Sequence, residues 1–316
     1  MGANRAIDQW GGKEGAVQEQ VNGFLRFLKD AKDSSDNTIA AYRNDLTQFI
    51  DFLEQTSSQT LDSWDDVDRQ LVLAYGEHLA SQTYAPSTVA RKVASVKSFF
   101  SFLTDSEKIT DDPTAVLNAP RVEKQLPRIL SVEEVQRLLA EPAKSTTPKG
   151  LRDRALLELL YASGMRVSEI IRLRTSDINL SENYVYCAGR NERSRELPLT
   201  PSVVEALSCY LNKGRVTLLQ EREEPRLFVN QRGRPLTRQG LWLITKSYAD
   251  AADLGSDVTP HTLRHSCAAH RLAKGADLQN VRELLGHANI STTQVYKELV
   301  NSVDDVANAG TETDPA

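Results

Sequence analysis

Residues 284–296 read LLGHANISTTQVY, and this stretch decides how the end of the chain folds. Gly286 predicts the end of one helix, because glycine adopts the left-handed conformation that terminates helices without strain. Ser291 and Gln294 form a capping-box pattern that predicts the start of the next helix. Tyr296 then lies one turn inside that second helix, where a tyrosine taken alone would be a half-buried core residue.

Upstream, residues 259–265 read TPHTLRH, in which a threonine cap and a proline in the first turn predict a helix start. His261 and Arg264 lie three residues apart, hence on one helix face, where an imidazole and a guanidinium suit phosphate oxygens. Taken alone, His261 is a surface histidine, and His265 is a packing or capping residue. No metal site is predicted for the two histidines, because the intervening residues lack the glutamate of an HExxH arrangement.

A third motif is GMRVSE at residues 164–169. Gly164 predicts the end of the preceding helix, and Arg166 follows this break directly. Backbone amides are free at such a break, so the arginine is placed to contact an anionic ligand. Taken alone, Arg166 would equally well be a solvated arginine or part of a surface ion pair.

The N-terminal part of the chain predicts a unit of four or five helices with almost no strand signal. Apolar residues recur at helical spacing over residues 17–32, 38–55, 66–81 and 85–104. On the last of these helices, Arg91, Lys92 and Lys97 are candidate DNA contacts. A solvated helix face explains Lys92 and Lys97 equally well.

Prolines and basic residues at the end of this unit predict an extended linker, in which Arg121 and Lys124 are further candidate DNA contacts. We place the helical unit at residues 15–115 and the linker at 116–128. A second, mixed α and β domain covers residues 129–309, and residues 310–316 form a disordered tail. Within the second domain, residues 178–199 predict a β-hairpin with a basic tip.

Composition narrows the classes of function. The net charge of the chain is −5, but residues 121–195 carry 14 Lys and Arg against 10 Asp and Glu. DNA binding depends on such local charge. The three scattered cysteines predict a reducing cytoplasm and no zinc knuckle. The sequence has neither an apolar run long enough to span a membrane nor a GxxxxGK[ST] phosphate loop, so neither a membrane nor ATP is expected.

The order Arg, His-x-x-Arg, Gly-His, Tyr resembles the tyrosine recombinase (phage-integrase-like) family, and within it the Xer recombinases. GMRVSE, PHTLRH and LLGHANISTTQVY carry the resemblance, which covers nearly the whole chain. It implies a mostly α fold with a small β-hairpin or sheet in the second domain. It also implies a two-domain, C-shaped DNA clamp, formed by a helical SAM-like core-binding domain and a catalytic domain.

The resemblance implies an active site of Arg166, His261, Arg264, His287 and Tyr296. In the implied reaction Tyr296 attacks the scissile phosphate and forms a 3′-phosphotyrosyl bond without metal or cofactor. The two arginines hold the developing negative charge on the phosphate oxygens. His261 is the candidate acid and base for Tyr296, and His287 the candidate donor to the phosphate.

One position departs from the family pattern. The family lysine of the β-hairpin corresponds to Arg190 here, and residues 189–193, GRNER, contain no lysine. An arginine stabilises charge but is a poor general acid, because it does not release its proton near neutral pH. Either a water molecule or His261 protonates the leaving oxygen, or cleavage is slowed. Arg193 in the same tip is a candidate DNA contact.

The resemblance also implies partners. These are a double-stranded recombination site, a homo- or hetero-tetramer with another tyrosine recombinase on two duplexes, and a regulatory DNA translocase. Leu299, Val300, Val303 and Val306 could form an apolar stripe that packs into a neighbouring protomer or folds back on its own domain. The implied role is chromosome dimer resolution and segregation at cell division. The alternatives are an integrase of a mobile element and a DNA-binding homologue with impaired cleavage.

Overall fold

The computed structural model describes residues 15–57, 61, 63–122, 126–189, 194–287, 289–297 and 299. The chain divides into two compact units, Met1–Lys124 and Gln125–Ala316. Lys124, Arg190 and Arg193 lie outside the described residues, as do Val300, Val303 and Val306. No helix of the described residues is long and apolar enough to cross a membrane.

The first unit is helical throughout its described part. Its α-helices are α1 (Ala16–Asp30), α2 (Asp36–Ser57), α3 (Arg69–Ser81) and α4 (Pro86–Asp105), with short 3₁₀ turns at Trp64–Asp66 and Pro113–Val116. The core is rich in aromatic rings, among them Phe24, Phe49, Trp64 and Phe99, which pack edge-to-face or stacked. The predicted helical unit is therefore confirmed as a fold.

A buried ion cluster joins α2 to α4. Asp45 is fully buried and accepts hydrogen bonds from Arg91, from Lys92 (3.3 Å) and from the Ser95 hydroxyl (2.8 Å). Lys92 is only 2% exposed, and its ammonium also donates to Gln48. A buried carboxylate is tolerated because these partners satisfy it. The prediction that Lys92 contacts DNA is therefore wrong for this structure, since the ammonium is used inside the unit.

Replacing Lys92 by methionine tests this correction. We expect the free energy of unfolding to fall by about 1–3 kcal/mol, because buried Asp45 loses one of its donors. We expect no change in the salt dependence of DNA binding, because no phosphate contact is lost. Urea unfolding and binding titrations over a salt series measure the two effects, with exposed Lys29→Met as the control. If the variant instead showed a shallower salt dependence of DNA binding at unchanged stability, the original prediction that Lys92 contacts DNA would be right.

The second unit combines helices with one small sheet. The helices are α5 (Val132–Ala143), α6 (Pro148–Ser163), α7 (Val167–Ile170), α8 (Pro201–Cys209), α9 (Val216–Leu219), α10 (Arg238–Ala251), α11 (Pro260–Ala273) and α12 (Leu278–Leu285), followed by α13 at residues 291–297. A π-helical stretch, Tyr210–Arg215, joins α8 to α9. α6 is buried on nearly all sides, its charged residues Arg152, Asp153 and Glu158 included, and lies at the centre of the core, against α5, α8 and α11.

The sheet is antiparallel and has the order β1-β2-β3, with β1 (Ile178–Asn179), β2 (Tyr184–Cys187) and β3 (Arg195–Pro198). The predicted hairpin is confirmed as β2 and β3, in which Val185 pairs with Leu197. Both of these residues face the core, while Tyr186 and Glu196 on the opposite face are exposed. The fold is thus mostly helical with a small sheet in the second unit, as the sequence predicts.

Candidate active site

Arg166 is fixed by the break after α6. Gly164 has φ +59°, which ends α6, and Arg166 is the residue that precedes α7. Its backbone amide donates to Glu169 Oε2 (2.7 Å) and its guanidinium to Glu169 Oε1 (2.9 Å) and to the Gly286 carbonyl (2.5 Å). The side chain is still 39% exposed, so part of the guanidinium is open to a ligand.

Arg264 lies on α11 and is only 5% exposed. Its guanidinium donates to the carbonyl oxygens of Gly164 and Leu285 (2.7 Å to the latter) and to His287 Nε2 (3.0 Å). Burial, followed by the neighbouring charge of Arg166, lowers the pKa of Arg264 to about 10. The group therefore keeps its positive charge at neutral pH, and its fork is held in one orientation.

His287 follows the αL residue Gly286 and connects Arg264 to α13. A guanidinium only donates, so His287 Nε2 accepts and Nδ1–H donates to Thr293 Oγ1 (3.0 Å). Burial, and then Arg264, lower the pKa of His287 to about 4. The imidazole is therefore neutral, with a fixed tautomer, beside the two arginines.

Tyr296 lies on α13 and is only 3% exposed. Its hydroxyl is hydrogen-bonded to His265 Nδ1 (2.7 Å), and its ring stacks on His287 at a centroid distance of 6.4 Å. Burial raises the pKa of the phenol. The predicted cap is wrong in detail: α13 begins at residue 291, and the Gln294 amide bonds to the Ile290 carbonyl, so Ser291 is inside the helix.

The histidine at the Tyr296 hydroxyl is His265 rather than the expected His261. His261 is exposed, and its ring centroid lies 6.4 Å from that of His265. Burial, and then His261, lower the pKa of His265 to about 4. His265 is not among the residues that the sequence predicts for the site, because the angle between α11 and α13 decides which histidine meets the phenol.

Glu169 and Arg195 also belong to the site without having been predicted for it. Glu169 accepts from Arg166, as above, and from both terminal nitrogens of Arg195, which is the first residue of β3 (3.2 and 2.9 Å). The three-residue spacing of Arg166 and Glu169 in GMRVSE is an ion-pair spacing and could have indicated this contact. Arg195 gives no comparable local signal. Hydrogen bonds to Arg195, and the charge of that residue, outweigh burial and lower the pKa of Glu169.

The remaining described candidates belong to the first unit, whereas this cluster belongs to the second. Lys97 donates to the Leu117 carbonyl (3.1 Å), Arg91 is partly exposed while bound to Asp45, and Arg121 is exposed. Leu299 packs with Tyr296 in the core of its own unit, and the other three residues of the predicted apolar stripe lie outside the described residues. Within the described residues, no group of three His, Cys, Asp or Glu side chains could hold a metal ion.

The two lowered histidine pKa values predict a pH-dependent stability. Unfolded histidines take up protons near pH 6.5, whereas His265 and His287 do so only near pH 4 when folded. The unfolded state therefore binds more protons between these values, and the free energy of unfolding falls as pH falls from about 6.5 to about 4.

Urea unfolding at a series of pH values measures this effect. Because carboxylates also titrate in part of the window, the informative quantity is the difference between wild type and His265→Gln, whose amide does not titrate. We expect the variant to lose less stability on acidification. Parallel curves for the two proteins would contradict the assignment of a buried, neutral His265.

Two arginines that bind neighbouring carbonyls, a neutral histidine bonded to one of them and a tyrosine stacked on that histidine define the class of site found in DNA-cleaving recombinases that use a tyrosine nucleophile. Residues 128–302 match the phage integrase family, and residues 21–107 match the phage integrase N-terminal SAM-like domain. The chain belongs to the phage integrase family of tyrosine recombinases. Within that family its relatives carry the Xer name.

Two relatives show how close the similarity is. The chain is 48% identical over 285 residues to tyrosine recombinase XerC of Roseiflexus sp. (strain RS-1), covering 90% of each chain. It is 43% identical over 287 residues to tyrosine recombinase XerD of Halalkalibacterium halodurans, covering 90% of this chain and 95% of that one.

Solved structures share the fold. A XerH site-specific recombinase bound to a palindromic difH substrate in a post-cleavage complex aligns with a TM-score of 0.70 and 21% identity, covering 93% of this chain and 95% of the other. A lambda integrase (75–356) dimer bound to a COC′ core site aligns with a TM-score of 0.66 and 18% identity, covering 88% and 94%.

Proposed function

We propose that this chain is a site-specific DNA recombinase of the Xer kind, which cuts and rejoins duplex DNA through a covalent bond to Tyr296. The observation that carries the proposal is the hydrogen-bonded set in which Arg264 contacts His287, whose ring stacks on Tyr296. Arg166 joins this set through the Gly286 carbonyl, next to the residues that bind Arg264. Relatives named XerC and XerD support the same assignment.

The proposed chemistry is a transesterification at phosphorus. The phenol oxygen of Tyr296 bonds to the scissile phosphorus, and the bond from phosphorus to the 5′ oxygen breaks. The products are a 3′-phosphotyrosyl link and a 5′ hydroxyl, and the proton lost by the phenol balances the one gained by the leaving oxygen. Arg166 and Arg264 hold the negative charge on the non-bridging oxygens with preorganised donors. Bond energy is retained, so rejoining is the reverse reaction.

The neighbouring histidines His265 and His261 have different proposed roles in proton transfer. His265 is hydrogen-bonded to the Tyr296 hydroxyl, but with a pKa of about 4 it is too weak a base to hold the phenol proton. The positive charge of Arg264 lowers the pKa of the phenol and offsets part of the effect of burial. His261 is exposed and remains the candidate that exchanges protons with solvent or substrate.

The leaving oxygen needs its own proton donor, and Arg190 stands at the position of the family lysine. We expect Arg190→Lys to accelerate cleavage if protonation of the 5′ oxygen limits the rate, because an ammonium releases its proton far more readily than a guanidinium. An unchanged rate would mean that water or His261 supplies the proton. This comparison also separates a fully active recombinase from a homologue with impaired cleavage.

We further propose that the chain acts in the cytoplasm in chromosome dimer resolution and segregation, as one of four protomers on two duplexes. The other protomers are copies of this chain or of a second tyrosine recombinase, and a DNA translocase regulates the assembly. The Xer names of the relatives favour this role over an integrase of a mobile element. Arg91, Lys97, Arg121, Lys124 and Arg193 are the proposed contacts to the DNA backbone.

A covalent-trapping experiment tests the core of the proposal. Duplexes that bind the protein are first selected from a random-sequence library. A nick is then placed one nucleotide from each backbone position in turn, so that cleavage at that position releases a short fragment that diffuses away. We expect a complex that survives SDS, carries the fragment labelled at its 5′ end, and maps to the peptide containing residue 296. Binding without any covalent complex would instead support a DNA-binding protein that does not cleave.

A further inference from the structure

The C-terminal end of α12 gathers three arginines. The amides of Gly286 and His287 bond to the carbonyls of Glu283 and Arg282, which leaves the next carbonyls without a backbone partner among the described residues. Each of these three carbonyls is bound by a different guanidinium. The Leu284 carbonyl is bound by Arg195 Nε (2.8 Å), that of Leu285 by Arg264 (2.7 Å) and that of Gly286 by Arg166 (2.5 Å). The negative end of a helix dipole favours cations at this place.

Arg195 differs from the other two in what its guanidinium can still reach. Its Nε binds Leu284 O, and its two terminal nitrogens bind the two oxygens of Glu169. The side chain is 13% exposed, against 39% for Arg166. Three of the five N–H groups of Arg195 are therefore occupied and little of the side chain is exposed, so its effect on the reaction is expected to pass through Glu169 and Arg166.

Charge explains why a third arginine is needed here. Glu169 holds Arg166 with two hydrogen bonds, but its carboxylate also cancels the charge that Arg166 must offer to a phosphate. Arg195 gives Glu169 a second cation in bidentate contact. Arg166, Glu169 and Arg195 together then keep one net positive charge, and opposite charges in contact at a partly buried site interact strongly.

We propose that Arg195 is a positioning residue of the recombinase, which neutralises Glu169 so that Arg166 is held in place with its charge available to the scissile phosphate. The proposal rests on the function proposed above. Arg195 is also the first residue of β3, directly after the hairpin tip with Arg190. Its bond to the Leu284 carbonyl connects the start of β3 to α12.

The variant Arg195→Met removes the charge and keeps most of the stem. We expect covalent-complex formation on a normal phosphodiester to slow by roughly 10- to 100-fold, the usual effect of losing a residue that orients a charged ligand. On a methylphosphonate substrate, whose scissile group carries no negative charge, we expect a much smaller defect. We also expect the pH dependence that Glu169 gives to the rate to move to higher pH, since Glu169 loses the cation that favours its ionised form.

A purely structural role would slow both substrates equally and leave the pH profile in place, and that result would overturn the proposal. A folded variant that cleaves the phosphodiester at the wild-type rate would also overturn it. If the wild type itself forms no covalent complex, the proposed function fails, and the crystal structure of Arg195→Met still decides the positioning role. Arg166 displaced from the Gly286 carbonyl supports that role, and Arg166 unmoved refutes it.

Substitutions at two glycines provide a second test, which does not depend on whether Arg195→Met folds. A Cβ on Gly286 would lie 3.0 Å from the Arg195 guanidinium and 3.2 Å from that of Arg166, whereas a Cβ on Gly275 meets nothing within 4 Å. Both glycines have positive φ, so alanine strains the backbone at each position, with no smaller strain at Gly275 (φ +85°) than at Gly286 (φ +62°). We expect Gly286→Ala to slow covalent-complex formation and Gly275→Ala to leave it unchanged. Equal rates for the two variants would count against the arginine cluster.

Discussion

Tyr296→Phe is expected to abolish the covalent complex with DNA while leaving DNA affinity within about twofold of wild type, since phosphate contacts dominate affinity and this side chain is buried. The substitution removes the nucleophilic oxygen and keeps the ring that stacks on His287. Loss of the hydrogen bond to His265 should lower the free energy of unfolding by about 1 kcal/mol. SDS-resistant complexes on a nicked duplex, gel shifts and urea unfolding measure the three effects.

Tyr161→Phe is a matched control in the same unit. The hydroxyl of Tyr161 is hydrogen-bonded to Nδ1 of His270 at 2.8 Å, so this variant loses the same kind of tyrosine–histidine contact at a pair outside the proposed active site. It should show a similar loss of stability with covalent-complex formation intact. If Tyr296→Phe still attached to DNA after SDS treatment, another residue would be the nucleophile and the proposed mechanism would be wrong.

Most helix boundaries around the site, though not the start of α13, could be predicted because they are decided locally. Gly286 adopts φ +62° and ends α12, and Thr259 caps α11 with its side chain bonded to the Thr262 amide (3.3 Å). Each of these features depends on a few neighbouring residues, so a short stretch of sequence contains the whole physical cause. The order of Arg166, Arg264, His287 and Tyr296 along the chain could be recognised for the same reason.

Contacts between elements could not be predicted in this way. Arg195 on β3, Glu169 on α7 and Leu284 on α12 are far apart in sequence, and only the packing of the unit brings them together. Lys92 shows the same limit in the first unit. A lysine among apolar residues on a helix suggests a solvated or DNA-facing side chain, and the buried Asp45 that binds it comes from a different helix.

Arg264→Lys tests whether charge alone serves the reaction. The guanidinium of Arg264 reaches the carbonyls of Gly164 and Leu285 together with His287, and a single ammonium cannot reproduce this fork. We expect the rate of covalent-complex formation to fall by roughly 100- to 1,000-fold, as when one preorganised donor to a developing anion is lost. Burial also lowers the pKa of an introduced lysine, so its charge is lost at lower pH than that of arginine and the defect should deepen as pH rises.

Arg215→Lys separates this effect from a loss of stability, because Arg215 also donates its guanidinium to backbone carbonyls, those of Glu224, Arg226 and Leu227. In both variants the free energy of unfolding, measured with urea, should fall by about 1–3 kcal/mol, since backbone carbonyls lose their donors in each. Only Arg264→Lys should slow cleavage. If both variants cleaved at the wild-type rate, the geometry of Arg264 would not matter to the transition state, and a positive charge near the phosphate would be all that the reaction requires of it.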